Sequence, residues 1–209
     1  MADRAAEVRE IWFGRAPLGA AALSRRMAFW FGSDESEAAR RERDRALGAR
    51  LEPLVIEAAQ GKLASWAASP RRRLSLILLL DQLPRSLYRG TPRAFTTDRQ
   101  ALELTLSGIQ SGADGALTVP ERIFFYMPLQ HAESLEAQDE SVAAYRRLLE
   151  ETVEELRPQL AQVLEYAEAH RSLIERFGRF PHRNRILGRP TTVEEQAYLA
   201  SRPESFGQG

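Results

Sequence analysis

Apolar residues recur at three- and four-residue spacing along nearly the whole chain, and no stretch alternates apolar and polar positions long enough to make a strand. The pattern predicts a helix from Ala5 to Phe13 stopped by Gly14, and a second from about Ala20 to Phe31. A third follows Asp34 or Ser36 and reaches about Gln60, with Gly61 past its end and Pro53 expected to kink or split it. Ser69-Pro70 pairs a capping hydroxyl with proline at the first helical position. The helix it opens carries Leu74 and an unbroken run from Leu76 to Leu80, apolar on every side, so it is the expected central buried helix, ending near Pro84. Thr96 or Thr97 is expected to cap a helix to about Ser111, and Gly112 with Asp114-Gly115 makes the turn after it. Pro120 opens a short helix that should end before Pro128, and residues 129 to 137 form another short element.

Two long stripes follow. Val142, Tyr145, Leu149, Val153 and Leu156 mark a helix from about Gln138 to Leu156. Leu160, Val163, Leu164, Ala167, Ile174 and Phe177 mark the next, begun by Pro158 and stopped by Gly178. Thr192 and Glu195 have the spacing of a capping box for a short last helix. Short links between consecutive helices imply antiparallel hairpins. The expected fold is all-α, with one domain over residues 1–200 and a short flexible tail at 201–209.

Composition narrows the chemistry. The 209 residues contain no cysteine, which excludes disulfides, zinc–thiolate sites and a cysteine nucleophile. The N-terminus lacks a basic segment leading into an apolar one, and the longest apolar run is too short to span a bilayer, so a soluble, cytoplasmic protein without membrane contact is expected. Basic and acidic residues balance at 29 each, which argues against a nucleic-acid binder. The charge is segregated, however: residues 71–99 carry seven Arg and two Asp, residues 100–170 four Arg and thirteen acids, residues 171–189 six Arg and one Glu. Lys62 is the sole lysine; the spread of arginine over the whole chain reads as compositional bias more than as a recognition code.

Three segments depart from plain helical patterning. In the first, Asp81 stands directly after the apolar run, where a carboxylate is costly unless paired; Arg85 and Arg89 are the nearest partners, and a structural Asp–Arg lock is the plainer reading. In the second, Phe124-Phe125-Tyr126-Met127 forms an apolar wall before Pro128, and His131 with Glu133 makes a minimal general-base pair. In the third, His170 lies on an apolar stripe, and Arg179, His182, Arg183 and Asn184 crowd a turn shaped by Gly178 and Pro181, where an anion would fit. All three histidines fall in these segments, yet none is paired at metal-binding spacing, so neither metal nor cofactor is expected. No G-x-S-x-G, P-loop or G-x-G-x-x-G is present.

At these segments the chain resembles an uncharacterised bacterial family, domain-of-unknown-function family 924. The similarity rests on Leu76 to Arg85, Tyr88 to Asp98, Glu121 to Glu133 and Arg176 to Asn184, with Trp12-Phe13-Gly14 and Gly61 to Trp66 nearer the start. Leu83 stands where the family usually has Phe, Ser86 where it has Asn, and Gln130-His131-Ala132-Glu133 replaces Glu-His-Ser-Glu, which removes a carboxylate beside His131. The resemblance implies helical hairpins stacked in a tetratricopeptide-repeat-like right-handed array, and implies no established activity. Two functions suit these residues. One is a binding or scaffold protein whose concave pocket takes a small anionic ligand or acidic peptide through Asp81, Arg85, Arg89, His131, Glu133, His170, Arg179, His182, Arg183 and Asn184, with Phe125, Tyr126 and Phe180 as the apolar wall. The other is a hydrolase of an anionic small molecule with His131 and Glu133, or His170, as general base.

Overall fold

The computed structural model describes residues 3–15, 18–31 and 36–201. Within them the chain is helical and contains no strand. Helix α1 (Arg4–Phe13) ends at Gly14, whose φ of 86° is open to glycine at little cost. Helix α2 is Ala20–Phe31, and α3 is Glu37–Ala59. Ser36 caps α3 by accepting the Ala39 N–H; the alternative cap Asp34 lies outside the described residues, as does all of the expected 201–209 tail except Ser201, which is helical. Pro53 does not split α3, which runs through it.

The apolar run forms α4 (Pro70–Ile77), and Leu74, Ile77, Leu78 and Leu79 are wholly buried. Helices α1, α3, α6 (Asp98–Gln110) and α7 (Val119–His131) pack around α4 and the turn that follows it. Ser69 sits at the start of α4, but its side chain makes no capping bond. The chain does not stop at Pro84. It passes through a π-helical turn, Leu78–Gln82, with Leu83 N–H bonded to Leu78 O, into α5 (Leu83–Leu87). Proline lacks the N–H that Leu80 O would accept four residues earlier. The Thr97 hydroxyl supplies that bond instead, at 2.6 Å. Thr97 therefore spends its side chain on Leu80 rather than on capping α6.

A second proline is absorbed similarly. Helix α7 continues through Pro128 to His131, contrary to the break expected there. The hydroxyls of Tyr145 and Thr105 donate to Ile123 O and Phe125 O, both at 2.9 Å, on either side of the carbonyl that Pro128 leaves without its usual partner. At the end of α7, the buried Gln138 amide donates to Gln130 O at 2.7 Å and Ala132 O at 2.8 Å. Helix α8 (Leu135–Glu151) and α9 (Arg157–Phe177) follow across short links and pack as successive neighbours, and Gly178 closes α9 in the left-handed region. The last helix, α10 (Val193–Ser201), has the expected box: Glu195 accepts the Thr192 N–H at 2.8 Å, and Thr192 accepts the Glu195 N–H at 3.2 Å. Trp12, Phe13 and Trp30 meet Phe124 edge-on at 4.5–5.6 Å and tie α1 and α2 to α7. No helix among the described residues is long and apolar enough to cross a membrane.

Helices α6 and α7 touch at Gly108. A Cβ there would lie 2.4 Å from Cζ of the fully buried Phe125 ring and 3.0 Å from Cδ of Arg73. Gly108→Ala, although favoured by helix propensity, is expected to lower stability by about 1–3 kcal/mol through overpacking. Urea denaturation checks it; an unchanged or higher midpoint would contradict this packing.

Candidate functional site

The three unusual segments converge. The π-turn carries Asp81 on a helix whose far side is pure core, so its carboxylate has no exposure at all. Arg85, one turn on, places Nη1 3.0 Å from Asp81 Oδ1 and also donates to Asp81 O at 2.7 Å. Its guanidinium then forks onto Asp98 in the first turn of α6, with both bonds at 2.9 Å. Asp98 is approached again by Arg183 Nη1, at 3.5 Å. Gln82 donates to the other oxygen of Asp81. Two acids and two guanidinium groups thus alternate through the interior, the arrangement that offsets the cost of burying charge.

His131, at the end of α7, places Nδ1 2.8 Å from Asp81 Oδ1. Burial raises the pKa of Asp81, but Arg85 and then His131 outweigh it, and the carboxyl stays ionised well below its ordinary range. An ionised acceptor makes Nδ1 the protonated nitrogen and leaves the lone pair on Nε2. Burial, followed by the charge of Arg85, holds His131 itself below its ordinary pKa, so the ring is neutral. Its Nε2 makes no hydrogen bond among the described residues and is not enclosed; the side chain is 16% exposed.

His170 faces inward from α9, with Nδ1 2.8 Å from Tyr166 O and its ring 6.5 Å from that of His131. Burial lowers it to about 3. His182, on the turn after α9, is lowered to about 4 by burial and then by Arg183. Arg183 is the hub. Its guanidinium lies between the rings of Phe95 and Phe180, 4.8 and 4.5 Å from their centroids, and burial and then Arg85 lower it to about 10. Its charge is felt by all three histidines. Yet its side chain makes a single long bond: Nε is buried without a partner, and Nη2 makes none among the described residues.

Other expected site residues do different work. Glu133 does not pair with His131. Beyond α7 the chain turns extended at Ala132, and the Glu133 carboxylate meets Arg189, at 2.6 and 3.0 Å, and accepts the Phe180 N–H at 2.9 Å. Arg189 also donates to Asn184 Oδ1, and Asn184 donates to Glu195. Arg179 forks onto Glu195 at 2.6 and 2.8 Å, which with the Thr192 and Asn184 bonds lowers that carboxyl to about 2. These residues staple the 178–195 turn to α7 and α10. Arg89 bonds Asp44 on α3 at 3.1 Å. Phe125 and Tyr126 lie in the core, Tyr126 bonding Asp114. Sequence reasoning missed Asp98, Phe95 and Gln82; Asp98 and Phe95 both sit in the Tyr88–Asp98 stretch, whose polar residues carry no helical stripe. Hollows of about 420 and 400 Å³ lie elsewhere, between α8 and α9 and between α1 and α2. No group of three or more His, Asp or Glu side chains among the described residues is placed to hold a metal ion.

Fold and site together define an all-helical protein in which four helix ends close on one buried chain of alternating charges. The chain belongs to the family described as "Bacterial protein of unknown function (DUF924)", whose model matches residues 8–202. It is similar to the solved structure of the protein of unknown function ATU0120 from Agrobacterium tumefaciens, at 35% identity over 87% of this chain and 99% of that one, with a TM-score of 0.70. No curated protein matches.

The histidines fix the response to acid. Below about pH 6.5 the unfolded chain takes up protons that the folded His131, His170 and His182 refuse, so stability falls as pH falls. Asp81 and Glu195, held below their ordinary pKa values, add to the loss through the carboxylate range. Tm is expected to be flat above pH 7 and to decline steadily below about pH 6.5. A Tm constant down to pH 5 would contradict neutral, buried histidines. Asp98→Ala, which strands Arg85 and Arg183, is expected to cost about 3–5 kcal/mol in urea unfolding.

Proposed function

We propose that the protein binds a small anion through one carboxylate or phosphodiester group at Arg183, near His131 and His182. The observation that carries this reading is the unspent guanidinium of Arg183: it is buried between two aromatic rings, with one 3.5 Å bond and donors left over. Arginine interiors ordinarily satisfy such donors, and an unmet buried donor costs about 1–3 kcal/mol. A carboxylate, or the single charge of a phosphodiester, supplies the planar or tetrahedral acceptor that this fork fits. Charge supports a contact with one anionic group. Arg85 is committed to Asp81 and Asp98, Arg179 to Glu195 and Arg189 to Glu133, so Arg183 alone among these arginines is only loosely paired. The site lies away from the two hollows, which favours a compact ligand over an acidic peptide. A concave face made by stacked, tetratricopeptide-like hairpins would present such a site, and a cytoplasmic location would expose it to small metabolites.

Calorimetric titration with succinate, acetate and inorganic phosphate tests the reading. Succinate or acetate is expected to bind wild-type protein and to lose at least about tenfold in affinity in Arg183→Ala, matching the loss of one charged hydrogen-bond donor. Arg89→Ala, in the turn after α5 and bonded to Asp44 on α3, is expected to bind normally. Equal binding by wild type and Arg183→Ala would remove the site.

A further inference from the structure

The binding reading leaves one atom unexplained: His131 Nε2. Its ring is held by the buried, ionised Asp81 through Nδ1, and the opposite nitrogen is unpartnered and reaches solvent within the field of Arg183. A histidine that merely satisfies a buried acid needs only its Nδ1–H. Asp81 also does more than pair, because Arg85 and Gln82 fix both its oxygens and so fix the plane of the imidazole. This is an oriented carboxylate–imidazole dyad whose basic nitrogen is left unbonded within the electrostatic reach of Arg183.

We propose that the site is catalytic, with His131 as general base in the hydrolysis of small carboxylate-bearing carboxylic esters. The proposal rests on the anion-binding reading, since Arg183 must hold the substrate's carboxylate. Water forms the new C–O bond at the acyl carbon while His131 Nε2 takes its proton, and the carbonyl electron pair moves onto oxygen. That pair returns, the C–O bond to the leaving alcohol breaks, and the proton on Nε2 passes to the departing oxygen. The products are an acid and an alcohol, and the imidazole is neutral again. Asp81 is a positioning residue: it fixes the tautomer and balances the transient imidazolium. Glu133, bound to Arg189 and the Phe180 N–H, takes no part.

The probe is the mono-p-nitrophenyl ester of adipic acid, whose carboxylate is too distant to close readily onto its own acyl carbon, with neutral p-nitrophenyl acetate as comparison; nitrophenolate release by the full-length protein is followed above the protein-free rate. The anionic ester is expected to be cleaved faster than the neutral one, and Arg183→Ala to erase that preference. His131→Gln is expected to lower kcat at least about 100-fold, the usual share of a general base, with succinate binding retained. Asp81→Asn is expected to lower kcat at little changed KM, a split that simple loosening of the fold would not give. Should either variant fail to fold, carbethoxylation of wild-type His131 serves: it is expected to abolish cleavage, and succinate to protect against it. Cleavage no faster than free imidazole gives, or indifferent to loss of His131, while succinate still binds, would overturn the catalytic assignment and leave the binding reading standing. Absence of succinate binding to wild type would overturn both.

Discussion

A carboxylate with no exposed surface, at the end of the most apolar run in the chain, sets the terms for the rest of this structure. Asp81 cannot be buried alone. Its neutralisation recruits Arg85 from the next turn, Asp98 from the start of α6, Arg183 from the turn after α9 and His131 from the end of α7. Each partner comes from a different stretch of sequence, so the charge chain can form only when those helix ends are already in register. Hydrophobic burial drives the helices together without choosing among similar packings; the ionic chain penalises every arrangement that leaves one member unpaired.

Much of this was legible in the sequence. Helical periodicity, the glycine stops at Gly14 and Gly178 and the Thr192–Glu195 box are local signals, and each sits where its chemistry places it. The prolines misled. Pro53, Pro84 and Pro128 each read as a break or kink, yet the helix continues past all three. For Pro84 the reason is distant: the carbonyl it orphans is taken by Thr97, seventeen residues on. Local sequence carries no trace of such a bond.

The site was half legible for the same reason. An acid after an apolar run, and an inward histidine on a stripe, announce buried polar groups, and Asp81 and His170 are both buried. Which acid meets which base is a tertiary matter. His131 and Glu133 are close in sequence, but the extended residue between them sends Glu133 to Arg189, and His131 turns back to Asp81, fifty positions earlier. Arg179 and Asn184 were drawn by composition into one cluster with His182 and Arg183, and the structure separates them: Arg179 and Asn184 fasten a turn through Glu195, while Arg183 is left with donors to spare. The distinction between a staple and a site lies in that remainder, not in residue type.

The chemistry of this site turns on one side chain: His131 is a neutral imidazole, protonated at Nδ1 against Asp81, with Nε2 unbonded among the described residues and within the field of Arg183. Long-range proton–nitrogen correlation spectra of the labelled protein, taken at neutral pH with and without succinate, test it most directly. A protonated Nδ1 and a lone-pair Nε2 are expected for His131, with the Nε2 resonance moving as succinate is added while that of His170 moves less. An Nε2–H tautomer, a charged ring, or spectra indifferent to succinate would contradict it.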